Sequence, residues 1–318
     1  MRAIVIRNRE DQVREKVFVN DWPAPEPPSR NQVKIKTLYS GITNGTERNQ
    51  LHRGNYAPGD NLLPMPTGYQ TVGRVIETGP DTEWLQADDL IFIGKSTGAH
   101  LEYIVVAEDE LLIKLPDSID QREAALYGMA AVALNTCRNA ELKLGENVLI
   151  VGAGYIGQTA AQVAALFGAR VTICDIDDRR LQLARRIGAA EHALNVDGPR
   201  WTRQVADQSF DAILDFAGVP GMEDKFLLAV RAGGRVLLIA GRDRVNYHFN
   251  LAQRRLITIK QNSHFSIDDL HNLCRLHGRG QIDLSSLLQD VVAAEQAKRI
   301  YDTLRDRPND LLGTVFSW

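Results

Sequence analysis

Gly152-Ala153-Gly154-Tyr155-Ile156-Gly157 follows the apolar run "NVLIV" and opens the helical stretch "IGQTAAQVAALFG"; a second apolar run, "RVTICDI", then carries an acid at Asp175. Glycines at this spacing have separate tasks. The first makes a tight turn, the second lets the backbone approach a pyrophosphate with no Cβ in the way, and the third lets the helix lie close to the strand. The phosphates then sit on the N–H groups at the helix N-terminus. A glycine triplet alone is a weak signal, but strand, turn, helix, strand and acid in this order make a complete dinucleotide-binding βαβ unit. Tyr155, Ile156 and Ile176 flank its turns. A carboxylate at Asp175 accepts ribose hydroxyls and repels a 2′-phosphate, which selects NAD(H) over NADP(H). Arg179 and Arg180 follow closely, and a guanidinium such as that of Arg180 is a nucleotide contact that weighs the other way. Further on, "DFAGVPG" and "IAGRD" each end an apolar run with small residues. Ligands in parallel sheets bind beyond the carboxyl ends of the strands, so Ala217, Gly218, Ala240 and Gly241 are expected around the nicotinamide half.

The elements that must position these residues show in the sequence texture. The first 115 or so residues are short β-branched runs such as "VKIKTLYSGI", "VGRVIETG" and "DLIFIG", broken by Gly, Pro, Asn and Asp. Pro-rich "DWPAPEPPSR" reads as a loop inside this region. At "PDSIDQREAALYGMAAVALNTCRNAEL" an Ala-rich helix begins, capped by Ser118 or Asp120. Apolar strands and helices then alternate, including a helix over 221–231, as a buried parallel sheet requires. The tail, "SIDDLHNLCRLHG", "AAEQAKRIYDTLRD" and "GTVFSW", returns to mixed helix and strand. The class is therefore α/β.

Composition excludes several functions. With 318 residues, two domains are expected. Lys and Arg number 37 against 40 Asp and Glu, a net charge of −3 with no one-sign block, so neither nucleic acid nor an anionic membrane is an expected partner. No apolar run reaches the ~20 residues of a membrane span, and "MRAIVIRNRE" turns charged too soon for a secretory signal. Cysteines 137, 174 and 274 form no close pair, which fits reduced thiols in the cytoplasm. Zinc-ligand spacing is likewise missing.

Longer stretches carry a resemblance. "SGITNGTE" is similar to the S-G-I-C-G-T-D turn of the medium-chain dehydrogenase/reductase superfamily. "GYQTVGRV" resembles its G-H-E-x-x-G-x-V, "GAHLEYIVV" its G-x-x-A-E-Y-x-x-V, and "GENVLIVGAGYIGQTAAQVAALFGA" its cofactor unit. The match covers essentially the whole chain. It implies a GroES-like catalytic domain from residues 1–129 and 265–318, enclosing a Rossmann domain over 130–264, with nicotinamide and substrate in the cleft between them. It also implies a homodimer by edge pairing of Rossmann sheets, through "RVLLIAG" or "LITIKQ". "SGITNGTE" with "GYQ" most resembles a short zinc-free branch, similar to the bacteriochlorophyllide hydroxyethyl dehydrogenase group.

Departures from the family pattern are informative. Aligned on Gly45-Thr46-Glu47, the zinc-binding cysteine falls on Asn44, the histidine on Tyr69, its neighbouring glutamate on Gln70, and the third ligand near Gly128. None offers a thiolate, imidazole or carboxylate, and the four-cysteine structural zinc lobe is missing, so no metal is expected. The resemblance makes Thr46 the hydroxyl that meets the substrate oxygen. Tyr69 is expected as a phenolic donor to a developing alkoxide, with Glu47 and Gln70 orienting it. His52 and His100 are expected at surface or packing positions, and His271 and His277 on a helix surface. Lys95 and His264 are candidates for facing the ligand. The expected activity is hydride transfer between NAD(H) and a secondary alcohol or ketone. NADPH-dependent quinone or enoyl reduction, and a catalytically silent dinucleotide-binding protein, are the alternatives.

Overall fold

The computed structural model describes residues 1–94 and 98–318. In chain order its strands are β1 (Ala3–Asn8), β2 (Arg14–Val19), β3 (Gln32–Gly41), β4 (Met65–Pro66), β5 (Gln70–Thr78), β6 (Leu90–Gly94), β7 (Tyr103–Ala107), β8 (Leu112–Lys114), β9 (Asn147–Val151), β10 (Arg170–Asp175), β11 (His192–Asn195), β12 (Phe210–Asp215), β13 (Val230–Leu238), β14 (Thr258–Gln261), β15 (Leu288–Ala293) and β16 (Gly313–Ser317). The helices are α1 (Asn44–Leu51), α2 (Gln121–Ala124), α3 (Tyr127–Asn139), α4 (Tyr155–Leu166), α5 (Asp178–Arg186), α6 (Arg200–Gln204), α7 (Glu223–Ala229), α8 (Phe249–Arg254), α9 (Ile267–Gly278) and α10 (Ala297–Asp306). The fold is α/β, with two compact units: residues 1–128, 266–279 and 287–318, and residues 129–265 with 280–286.

The first unit is mainly antiparallel. One sheet runs β15-β16-β3-β5-β6-β8 with β7 also on β3, and a smaller one runs β2-β1-β4. Buried and less buried residues alternate along β3 from Gln32 to Thr37, the period-two pattern of a strand with one face in the core. Register then does the positioning: β3 pairs Ser40 with Thr71 of β5 and with Phe316 of β16. The chain between β3 and α1 is thereby brought beside the residues that open β5. Ile4, Ile42, Leu51, Ile300, Tyr301 and Phe316 form the core below α1 and α10. Asp120, rather than Ser118, caps α2, accepting from the Arg122 N–H.

The second unit is a six-stranded parallel sheet, β11-β10-β9-β12-β13-β14. Strand order reverses between β9 and β12, so the carboxyl ends of these two strands form the switch point where ligands bind. Its strands are apolar throughout because helices shield both faces; Leu149, Ile213, Val236 and Phe226 are among the residues of one core cluster. Helix α7 is shorter than 221–231, because Val230 is already paired with Phe210 in the sheet. The segment "RVLLIAG" cannot be a sheet edge: β13 is paired with β12 on one side and β14 on the other. Of the two segments expected at an interface, only "LITIKQ", carrying β14, lies at an edge. Among the described residues, no helix is long and apolar enough to cross a membrane.

Candidate active site

In the first unit, Tyr69, Gln70, Thr43 and Gly128 come together. Thr43 is the N-cap residue of α1, yet its hydroxyl makes no capping bond, although this is the usual task of a threonine there. Gln70 Nε2 donates to Thr43 Oγ1 at 3.3 Å, and the same hydroxyl bonds the Tyr69 phenol. Gly128 lies behind the pair: a Cβ there would stand 2.6 Å from Tyr69 Cε2 and 2.7 Å from Gln70 Oε1. Glycine at 128 is therefore what admits the ring. Burial pushes the Tyr69 phenol well above its ordinary value; the Thr43 bond opposes the rise and the Glu47 charge adds to it. Such a phenol stays protonated at neutral pH.

Thr46 lies one turn along α1, half-buried, and no hydrogen bond joins it to this cluster. Thr43, which does meet Tyr69 and Gln70, was not among the residues expected from the sequence. The family pattern is one residue shorter than "SGITNGTE", and registering it from Ser40 instead of Glu47 sets Thr43, not Asn44, opposite the cysteine. Asn44 turns its amide elsewhere, donating to the Leu311 and Leu312 carbonyls at 2.9 and 3.2 Å.

Glu47 anchors the cluster from below. Its Oε1 accepts from the Thr43 N–H at 2.9 Å, and its Oε2 accepts from Lys16 Nζ at 2.8 Å and from the Tyr301 hydroxyl at 2.6 Å. Lys16 also donates to Gln50 and Thr67, and His100 Nε2 stands 3.4 Å from Glu47 Oε1. All four of Lys16, Glu47, His100 and Tyr301 are buried. Burial alone would raise the Glu47 carboxyl, but the charges of Lys16 and then His100 outweigh it and hold the group well below the usual carboxylate range. Burial likewise lowers the Lys16 ammonium against the opposing pull of Glu47. Neither Lys16 nor Tyr301 figured in the reading of the sequence.

The second unit brings the residues expected at the nucleotide to the carboxyl ends of its strands. Gly152 has φ +97°, a left-handed conformation that favours glycine. A Cβ on Gly157 would collide with the Gly152 carbonyl oxygen. Gly154, the N-cap of α4, differs from both: φ is −71° and ψ −178°, and a Cβ there would meet no protein atom within 4 Å. Asp175 holds the turn, its Oδ2 accepting from the Ala153 N–H at 2.6 Å while Oδ1 accepts from Ile176 and Asp177. The Arg179 guanidinium is paired with Asp177 at 2.8 Å; Arg180 is half-buried and Ile176 exposed. Tyr155 and Ile156 open α4. A Cβ on Gly152 would meet Ala217 at 3.2 Å, and one on Gly218 would meet Ala240 at 2.7 Å, so the three strand-end loops are packed against one another.

Other candidates fall elsewhere. His277 is not a surface histidine: it is half-buried, Nδ1 standing 2.7 Å from the Tyr127 hydroxyl and Nε2 2.7 Å from Glu123. The α2–α3 turn packs over that face of α9, a long-range contact that helical periodicity does not reveal. His100 is a packing histidine against Ser40 and Phe316. His52, His264 and His271 are exposed, and Lys95 lies outside the described residues. The Thr43 hydroxyl, the Tyr69 phenol and Gly128 do not make a zinc-ligand set, and among the described residues no three His, Cys, Asp or Glu side chains are grouped to hold a metal.

A parallel switch-point sheet with this glycine turn and acid is the architecture of a dinucleotide-binding domain. A family model described as zinc-binding dehydrogenase matches residues 156–276, a span that leaves out Asn44, Tyr69 and Gly128. Another, described as pyridine nucleotide-disulphide oxidoreductase, matches residues 66–198. That span contains the glycine turn, whereas all three cysteines are free. The chain is 24% identical to a probable D-xylulose reductase A of Arthroderma otae, over 92% of each chain. It is 29% identical to an L-threonine 3-dehydrogenase of Pseudoalteromonas translucida, over 70% of this chain and 73% of that protein. The alcohol dehydrogenase TADH of Thermus sp. ATN1 has the same fold, with a TM-score of 0.86 across all of both chains at 20% identity. The chain thus resembles named dehydrogenases and reductases over most of its length, and these relatives support an NAD(P)-dependent dehydrogenase or reductase.

Proposed function

We propose that this protein moves a hydride between NAD(H) and a secondary alcohol or ketone without zinc, with Tyr69 as the proton donor to the substrate oxygen. The observation that carries the reading is the Tyr69 ring lodged over Gly128 and bonded to Thr43. Thr43 accepts from Gln70 and so has its single proton to give to Tyr69 Oη. A phenol that accepts from Thr43 turns its own O–H to another acceptor, which in the working enzyme is the carbonyl oxygen becoming an alkoxide. NADH, when bound, supplies the hydride. The names of the relatives, a reductase of D-xylulose and a dehydrogenase acting at carbon 3 of L-threonine, support a secondary alcohol or ketone. NAD(H) is favoured because Asp175 faces the turn and Asp177 occupies Arg179. Small residues at 217–218 and 240–241 are assigned to the nicotinamide half. We also propose a homodimer through the β14 edge.

Turnover against a panel of alcohols and ketones tests the reading. Tyr69→Phe is expected to lower kcat about 10²- to 10³-fold with NADH affinity unchanged. Thr43→Val is expected to lose less, and Thr46→Val least; a larger loss for Thr46→Val returns the hydroxyl role to that residue. Because the phenol is raised, reduction should hold level from neutral pH to about 10, the ordinary phenol value. An affinity preference for NADPH, or stoichiometric zinc in the purified protein, overturns the corresponding part of the proposal.

A further inference from the structure

The loops 216–218 and 239–241 consist largely of small residues, so their own side chains do little to hold them in place. What does hold them is a buried ion pair. Asp215, the last residue of β12, is fully buried. Its Oδ1 accepts from the Ala217 N–H at 3.0 Å and the Gly218 N–H at 3.1 Å, and its Oδ2 accepts from Arg242. The same guanidinium donates through Nε to the Ala240 carbonyl at 3.2 Å and through Nη1 to Glu223 at 3.3 Å. Its side chain is only 11% exposed. One planar fork thus fixes the end of β12, the loop after β13 and the first residue of α7.

We propose that Arg242, working through Asp215, is a positioning residue that sets the two strand-end loops for the nicotinamide half of the dinucleotide. The proposal rests on the assignment of those loops to the nicotinamide made above. It requires guanidinium geometry: an ammonium keeps the charge but does not span a carboxylate, a carbonyl and a second carboxylate in one plane. The glycine turn and Asp175, which take the pyrophosphate and the adenosine ribose, make none of these bonds. A fault at Arg242 therefore reaches one half of the ligand only.

The test is a pair of affinities measured on the full-length protein, for NADH and for ADP-ribose, which lacks the nicotinamide. Arg242→Met is expected to raise the Kd for NADH at least tenfold and to leave the Kd for ADP-ribose within about twofold. Arg242→Lys should give the same split at smaller size, and it serves if the methionine variant does not fold. Asp215→Asn, which keeps an oxygen for the two N–H groups, should also weaken NADH selectively. Equal losses for both ligands, or no loss for either, overturn the proposal. If the wild-type protein binds neither NADH nor NADPH, the cofactor reading itself falls, an outcome distinct from equal losses in a protein that binds.

Discussion

Of the three glycines in the strand–helix turn, Gly154 is the one whose presence the protein's own packing does not require. Its backbone angles are ordinary extended ones, open to any residue, and the space where a Cβ would go is empty of protein atoms. Gly157 is the opposite case, since a Cβ there strikes the Gly152 carbonyl. The two substitutions therefore separate folding from binding. Gly154→Ala should leave stability within about 1 kcal/mol of the wild type, restriction of the unfolded chain offsetting alanine's poorer fit at the N-cap of α4, while NADH affinity drops at least tenfold. Gly157→Ala should lower the melting temperature outright. Fluorescence titration with NADH and a thermal melt on each variant check both, and a Gly154→Ala protein with wild-type affinity removes the case for pyrophosphate at this turn. These glycines were legible in the sequence because their tasks are local. Thr43 was not: "SGITNGTE" holds two threonines, and which of them meets Tyr69 depends on the β3–β5 register and on where α1 begins.

At the scale of elements, one buried charge links α1 to both β2 and α10. Glu47 on α1 takes Lys16 from β2 and Tyr301 from α10, partners 31 and 254 positions away in sequence. The strands and helices themselves were readable, since period-two and uninterrupted apolar runs report burial directly. Partners brought together over such separations carry no local signal, and an isolated Lys16 in "REKVFV" reads as a solvated strand residue. Lys16→Met leaves Glu47 buried without its main counter-charge and should cost about 3–5 kcal/mol; the Lys16→Met/Glu47→Gln double variant should recover part of that, because the orphaned charge is gone. The pH dependence has a definite sign. Glu47 is depressed in the folded state, so its contribution is complete above the unfolded carboxylate value of about 4.3 and is lost as pH falls below it. Urea unfolding of the three proteins between neutral pH and mild acid measures this. Equal stability of Lys16→Met and wild type at neutral pH would show that the pair contributes nothing.

For the molecule as a whole, the proposed homodimer turns on the open β14 edge of the second unit's sheet. Strand β14 pairs with β13 on one side only, and an open edge of this kind is a template for another strand. Lysine on an edge normally keeps such strands apart, but the Lys260 ammonium is folded back onto Glu141 and the Asn139 carbonyl. Just before the strand, Leu256 is 80% exposed with a φ of +53°, a conformation a leucine adopts at a cost and asparagine takes readily. Two-fold pairing of β14 with its copy would continue the sheet across the dimer and cover this leucine in both protomers. Light scattering should then give a mass about twice the 35.4 kDa of the chain. Leu256→Asn should shift that mass toward the monomer without lowering the melting temperature of the subunit, because the substitution relieves the backbone while removing apolar contact area. A wild-type monomer at micromolar concentration, or a dimer that Leu256→Asn leaves intact, excludes β14 with Leu256 as the interface.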